Sequence, residues 1–388
     1  MIDYDYHAQT KSLYIHWPFC AQKCHFCDFI SFENHENWQQ EYLETLCTEI
    51  TQFAIQHQQA GNTPIETIFI GGGTPSLCPP HLLTKLFTTL YDSFTIAPNH
   101  EITIEANPTD ICHDTLQLWK SLGINRLSLG VQILNDAVLQ GLNRRQRTTD
   151  VVTAVELIPS FFSNFSVDLM IGLPGISSSE WFSTLATVTS WPITHISVYL
   201  LTIYEKTPLF FQLQQQALSV WTEDEFADHY EASVAFLEEN NFNQYEISNF
   251  SLKNFESKHN IAYWDRLPYR GFGVSAASFD GSCRFINEKN LSKYFKKVTL
   301  NKEIPTQTTE RLSQEQHNLE TIMLSLRQTK GLNLQRMLYL VKDQQKQQQL
   351  ETTIDMLAQQ NLLTQKNNII KLTPKGMALE NEVILKLL

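Results

Sequence analysis

Residues 13–29 read LYIHWPFCAQKCHFCDF, and this stretch decides the reading of the chain. Leu13–His16 has the composition of a β-strand, and it runs directly into Cys20, Cys24 and Cys27, spaced C-x3-C-x2-C. Thiolates gathered in one loop repel one another unless a metal neutralises them, and soft sulfur ligands select zinc, copper(I) or iron–sulfur clusters. Structural zinc usually takes four protein ligands. Three cysteines fit better on three irons of a [4Fe–4S] cluster, which leaves one iron open to a small molecule. Two alternatives stand beside this: a zinc ion held by the trio with His16 or His25, or three buried thiols without a metal.

The other four cysteines, Cys47, Cys78, Cys112 and Cys283, lie apart, and each reads as a small buried hydrophobe. An odd count of 7 in a chain of 388 residues argues against a disulfide framework. The chain is 42% apolar and 18% charged, which describes a packed globular protein of two or three domains. No apolar run approaches the ~18 residues a membrane span needs. The opening MIDYDYHAQTKS lacks the apolar region of a secretory signal, so a cytoplasmic protein is expected. A net charge of −12 makes it a poor binder of phosphate backbones. Residues 301–388 carry 11 Lys+Arg against 9 Asp+Glu, or +2, leaving −14 for residues 1–300 and placing a boundary near 300.

Strand candidates recur at Leu13–His16, Thr67–Ile70, Glu101–Glu105, Arg126–Gly130, Ser166–Met170 and His195–Leu201. Between and after them fall helical stretches at Asn37–Gln59, Pro80–Tyr91, Asp114–Ser121, Thr149–Leu157, Ser178–Thr189 and Thr222–Glu239. This alternation predicts a parallel sheet covered by helices, a complete or partial (β/α) barrel with its site at the C-terminal strand ends. Gln244–Phe250 reads as a further strand, and 251–300 as an extension of the core. Beyond 300, helices at Gln314–Arg327, Asn333–Val341 and Gln348–Gln360 precede two short strands around Asn367-Asn368 and a closing helix, a winged-helix pattern. Its near-neutral charge favours a structural or docking role over DNA binding. The Gln-rich patch at 344–349 reads as a solvated helix face.

The cysteine motif, with Phe26 between its last two members, resembles the signature of the radical S-adenosylmethionine (SAM) superfamily. The wider run resembles the branch of that superfamily holding oxygen-independent coproporphyrinogen III oxidase and its heme-chaperone relatives. IFIGGGTPS (68–76), ITIEANP (102–108), RLSLGVQ (126–132), LNRRQ (142–146), VDLMIGLPG (167–175) and HNIAYW (259–264) resemble that branch in the same order. The resemblance covers about residues 11–280, more loosely the C-terminal module. It implies a partial (β/α)6 radical-SAM barrel at 1–250, the extension at 251–300 and a winged-helix-like α+β module at 301–388.

Each motif also has a physical reading. Three glycines, Gly71, Gly72 and Gly73, before Thr74 let a ligand approach the main chain, or else form a tight strand-to-helix turn. The resemblance sets this loop against the methionine part of SAM, with Tyr14 near the adenine side. Glu105, at a strand end, can accept hydrogen bonds from ribose hydroxyls or an ammonium, although an acid there is more often solvated or salt-bridged. Gln132, Arg144 and Asp168 align with SAM-contacting positions of the family. Arg144 can clamp a carboxylate in a fork, or form a surface patch with Arg145 and Arg147. His259, beside Tyr263 and Trp264, suits a porphyrin and an axial iron bond, or is a hydrogen-bonded structural histidine. Gly271-Phe272-Gly273-Val274-Ser275-Ala276 matches G-x-G-x-x-A without the βαβ unit that a dinucleotide site needs, and Ala277 stands where a heme-chaperone pattern has a histidine.

The oxidase pattern adds a fourth cysteine two residues past the third, where this chain has Phe29. CDF together with HNxxYW resembles the heme chaperones. The expectation is a protein of porphyrin metabolism that binds a [4Fe–4S] cluster, SAM and heme. Its expected partners are acceptor hemoproteins, membrane-bound ones among them, and a second copy of the chain, but not nucleic acid. The alternative is an oxidase that uses SAM to decarboxylate porphyrinogen propionates. A third reading is a zinc-stabilised interaction protein.

Overall fold

The computed structural model describes residues 10–215, 220–341 and 344–387. Residues 1–9 of the opening, read above as carrying no secretory signal, lie outside the described residues, as do the side chains of Gln344 and Lys346 in the Gln-rich patch.

Six strands run parallel in chain order: β1 (Ser12–Trp17), β2 (Ile65–Gly72), β3 (Ile96–Ala106), β4 (Arg126–Gln132), β5 (Phe165–Ile171) and β6 (His195–Leu200). Parallel neighbours need crossovers. Helices α1 (Gln39–Gln59), α2 (Pro80–Ser93), α3 (His113–Ser121), α4 (Thr148–Leu157) and α5 (Ser178–Thr189) supply them, and α6 (Glu223–Glu239) follows β6. Alternate strand residues bury apolar side chains under these helices: Leu13, Ile15, Ile68, Ile70, Ile102, Ile104, Leu127, Leu129, Val167, Leu169, Ile196 and Val198. The residues between them point to the other face, the lumen, by the period of two. That face is polar, with Thr67, Glu101, Thr103, Glu105, Arg126, Ser128, Ser166, Asp168, His195 and Ser197. Its outer face is thus a packed core, while its inner face is a row of hydrogen-bonding groups.

The barrel is open. Past β6 the sheet ends in two antiparallel strands, β7 (Asn243–Glu246) and β8 (Asn249–Ser251), so Gln244–Phe250 spans a hairpin and is not one strand. The Glu246 carboxylate makes that turn by accepting Ser248 N at 2.9 Å and the Asn249 side chain. At the other edge β9 (Tyr269–Phe272) lies parallel to β1. It is followed by an antiparallel run of β10 (Ala277–Phe279), β11 (Cys283–Asn287) and β12 (Thr306–Arg311). The connecting segment crosses the N-terminal end of the barrel through helix α7 (Lys258–Trp264). There the buried Glu101 accepts Lys258 N and His259 N, each at 3.1 Å. Since β12 pairs with β11, the sheet runs past residue 300 to Arg311.

The C-terminal module holds α8 (Gln314–Leu326), β13 (Leu332–Asn333), α9 (Leu334–Leu340), α10 (Gln344–Gln359), β14 (Leu363–Lys366), β15 (Ile369–Leu372), α11 (Pro374–Ala378) and α12 (Glu380–Leu387). Its sheet has the order β13-β15-β14. Asn367 and Asn368 take φ of 51° and 63°, the left-handed pair that a two-residue hairpin turn demands. The partial barrel with a winged-helix-like module is therefore the fold. Among the described residues no helix is long and apolar enough to cross a membrane.

Candidate functional site

The cysteines lie in the loop between β1 and α1, closed at its base by the pairing of Phe19–Cys20 with Phe32–Glu33. All three thiols are half-buried. Burial pushes the Cys27 thiol up to about 11 and raises Cys20, and the other cysteines of the trio push in the same direction. The sulfurs therefore sense one another, and together they become thiolates only when a cation offsets them. Arg144 Nη1 donates to Cys24 Sγ at 3.2 Å, and the Thr74 side chain bonds Cys20.

His16 is no fourth ligand. Its Nε2–H donates to the Ile30 carbonyl at 3.0 Å, Nδ1 accepts the Tyr14 hydroxyl at 3.1 Å, and burial lowers its pKa to about 4. His25 turns Nδ1 to the Gly141 carbonyl. Among the described residues no three His, Cys, Asp or Glu side chains converge to hold a single metal ion. Three thiols without a fourth protein donor fit a [4Fe–4S] cluster, in which each iron takes one terminal ligand and the fourth is left to a non-protein donor.

The glycines at the end of β2 seat this loop. A Cβ on Gly73 would stand 2.7 Å from the Phe19 carbonyl oxygen, and one on Gly72, at φ 111°, 2.5 Å from His16 Nδ1. Gly73 N donates to Trp17 O at 2.7 Å and Thr74 N to Phe19 O at 2.9 Å. These positions exclude side chains because the chain's own β1 loop occupies the space, a reason the ligand-approach reading did not contain. Gly71 faces the Glu105 carboxyl, 3.0 Å from where its Cβ would be.

Hydrogen bonds tie the strand-end motifs to one another. Arg144 Nη2 donates to Asn107 Oδ1 at 2.6 Å and to the Gly130 carbonyl at 2.9 Å, and its Nε donates to Gln146 Oε1. Arg145 pairs with Asp110 at 2.8 Å, and Asp110 also accepts Ser76 Oγ at 2.7 Å. The two arginines thus point inward into separate networks. A surface patch is not what they form. Gln132 sits at a bulge in β4 with φ 69°, which turns its side chain out of the strand's alternation.

Glu105 is half-buried, and burial, followed by the Asp168 charge, pushes its pKa up to about 7 against the pull of Gly72 N–H at 3.1 Å. Asp168 accepts Ser128 Oγ at 2.8 Å and is itself raised by burial. Two carboxyls that resist ionisation suit hydroxyl or ammonium donors from a ligand. The Tyr14 ring stacks on Phe69, and burial raises its phenol well above the ordinary value. Phe26 packs against the hydrophobic core.

His259 stands elsewhere. It is 1% exposed at the floor of the barrel, where Thr67 Oγ1 at 2.7 Å and the Tyr263 hydroxyl at 2.8 Å take both ring nitrogens. Burial lowers its pKa to about 3. With both ring nitrogens engaged and the ring closed to solvent, the arrangement favours a hydrogen-bonded structural histidine over an axial heme ligand. Cys47, Cys78 and Cys283 are buried as expected, but Cys112 is exposed, because it precedes α3 and bonds Thr115 there. The segment from Gly271 to Ala277 runs from the end of β9 through a tight connection into β10, two antiparallel strands. Sequence reading missed Asn107 and Arg126. Asn107 carries a signal in ITIEANP, beside Glu105; Arg126 shows only as a charge inside a strand.

An open, parallel (β/α)6 barrel with a cysteine trio in its first loop defines the class. Residues 14–188 match the family described as "Radical SAM superfamily", and residues 312–379 match "HemN C-terminal domain". The solved structure of coproporphyrinogen III oxidase (HemN) from Escherichia coli, a radical SAM enzyme, superposes with a TM-score of 0.83 over 99% of this chain and 92% of that one. At 22% identity this shows the shared fold. The relative named "Heme chaperone HemW" from Bacillus subtilis (strain 168) is 33% identical over 96% of this chain and 98% of its own length. That from Lactococcus lactis subsp. lactis is 32% identical over 98% of both. The chain belongs to the HemW family of the radical SAM superfamily.

Proposed function

We propose that this protein is a heme chaperone: it binds a [4Fe–4S] cluster and SAM at the barrel rim, takes up heme as cargo, and passes it to acceptor hemoproteins in the cytoplasm. The observation that carries the reading is the meeting of the cysteine loop, the glycine loop and two reluctant carboxyls at one rim, in a chain that matches relatives named heme chaperone over 96% to 98% of its length. Cys20, Cys24 and Cys27 hold the cluster. When bound, the cluster supplies an iron with an open coordination position for the amino and carboxylate groups of SAM.

The chain's own residues do the rest. Arg144 keeps a positive charge on Cys24 and fixes that sulfur to the ends of β3 and β4 through Asn107 and Gly130. Thr74, with the main chain of Gly72 and Gly73, forms the wall behind the cysteines. Glu105 and Asp168 accept hydroxyl donors of the nucleoside, Gln132 lines the rim beside them, and Tyr14 closes the space beneath. No heme ligand is assigned.

The test uses anaerobically reconstituted protein loaded with heme and mixed with an apo-hemoprotein acceptor. Heme should move to the acceptor, while coproporphyrinogen III with SAM and reductant should give no protoporphyrinogen. Turnover of coproporphyrinogen in excess over protein would make it an oxidase; absence of heme binding would end the chaperone reading.

A further inference from the structure

The two most deeply buried arginines are treated differently. Arg270, 2% exposed, donates from Nη2 to Glu49 Oε1 at 2.6 Å. Arg126, also 2% exposed, has no hydrogen-bond or ion-pair partner among the described residues, and its Nε is sealed from solvent. Even the half-buried Arg327 and Arg145 have carboxylates at 2.9 and 2.8 Å. The Asp168 charge acts on Arg126 through space but without a hydrogen bond or ion pair, and a buried guanidinium held without a direct counter-ion is destabilising.

Arg126 starts β4 on the lumen face, in register with Thr103 of β3, whose Oγ1 is also buried without a partner. Ser128 follows two residues on, about 7 Å up the strand, where it meets Asp168. Every other group around this point is satisfied. His195 bonds Ser166 Oγ and the Tyr245 hydroxyl, each at 2.8 Å. His259 is taken by Thr67 and Tyr263, and Glu101 by Ser257, Lys258 N and His259 N. Asp168 accepts Ser128 and Ser166, and Arg126 acts on it only through space. Burial holds both histidines uncharged, with Arg126 adding to it. What remains below the rim is a planar cationic fork and a hydroxyl donor with no acceptor.

We propose that Arg126 and Thr103 form a carboxylate-binding subsite inside the barrel, entered from the rim. The fork matches a carboxylate's two oxygens, and the Thr103 hydroxyl supplies a third donor. The carboxylate belongs to a heme propionate, an assignment that rests on the function proposed above; the subsite itself does not rest on it, and a free organic acid is the other source of the same chemistry.

The test compares the full reconstituted chain with Arg126→Met and Arg126→Lys. Sodium propionate should raise the melting temperature of the wild type more than sodium chloride at equal ionic strength, and R126M should not distinguish the two salts. Ligand-free R126M should melt at or above the wild type, since it removes a buried charge with no direct ion pair, and R126K should retain part of the propionate effect. Wild type should bind heme on the order of tenfold to a hundredfold more tightly than heme dimethyl ester, and R126M should bind both alike. A large fall in the melting temperature of R126M with no propionate effect would make Arg126 a structural tie and overturn the proposal. An equal chloride effect would overturn the carboxylate. A propionate effect with heme and diester bound alike by wild type would leave the subsite to a free acid and overturn the heme assignment. No heme binding by the wild type would refute the chaperone reading, with propionate still deciding the subsite.

Discussion

Replacing His259 by Gln separates a structural histidine from a heme ligand, because the two roles respond differently to acid. The ring is 1% exposed, lies 5.3 Å from the Phe69 ring centroid, and has a pKa lowered to about 3, mainly by burial and then by the Arg126 charge. The folded protein keeps it neutral, whereas the unfolded chain protonates it below its ordinary value near 6.5. Its depressed pKa therefore contributes stability that is present above pH 6.5 and is lost as pH falls towards 3. The loss is about 1.4 kcal/mol per pH unit, or about 2 kcal/mol between pH 6.5 and 5. Glu105, raised to about 7, titrates in the opposite sense over part of this window, so the total slope is not diagnostic. The difference between wild type and variant is. Urea unfolding followed by tryptophan fluorescence should show H259Q about 1 to 3 kcal/mol less stable at pH 7.5, from imperfect replacement of two buried hydrogen bonds. That gap should shrink by about 2 kcal/mol at pH 5, while heme affinity at pH 7.5 stays unchanged. A gap that is constant with pH, or a variant that loses heme at full stability, would refute the structural assignment.

Cys24→Ser should reduce iron and acid-labile sulfide to background after anaerobic reconstitution, with the fold retained by circular dichroism; full iron content would remove the cluster assignment. Gly72→Ala forces a side chain into φ 111° and within 2.5 Å of His16, so it should lose about 2 kcal/mol or more and retain less iron. Gly141→Ala, where a Cβ meets nothing within 4 Å, should be neutral in the same assays, and equal losses would show that the cradle is not the cause. Glu49 accepts Arg270, Gly273 N, Asn287 and the Tyr294 hydroxyl between 2.6 and 2.9 Å, so Glu49→Gln strands a buried cation. It should cost about 3 to 5 kcal/mol, read as a lower urea midpoint; an unchanged midpoint would mean that the pair is not needed to join α1 to β9.

Features confined to a short stretch of chain were legible without the structure. The strand–helix alternation, the C-x3-C-x2-C loop on the first strand and the Asn367-Asn368 turn are written in periodicity and spacing, because each depends on neighbours a few residues away. The meeting of IFIGGGTPS, ITIEANP and LNRRQ at one rim was legible only as order; the bonds from Arg144 to Asn107 and Cys24 span 37 and 120 residues, and barrel register makes them. Composition gave His259 the chemistry of a ligand. Its depth in the lumen, set by how α7 crosses the barrel floor, takes both nitrogens and favours a structural role. Arg126 is the converse, an unremarked charge in RLSLGVQ that becomes informative once its neighbours are seen to satisfy one another. A sequence names donors and acceptors, but which of them are left without a partner depends on every chain segment packed around them, and only the tertiary structure decides that.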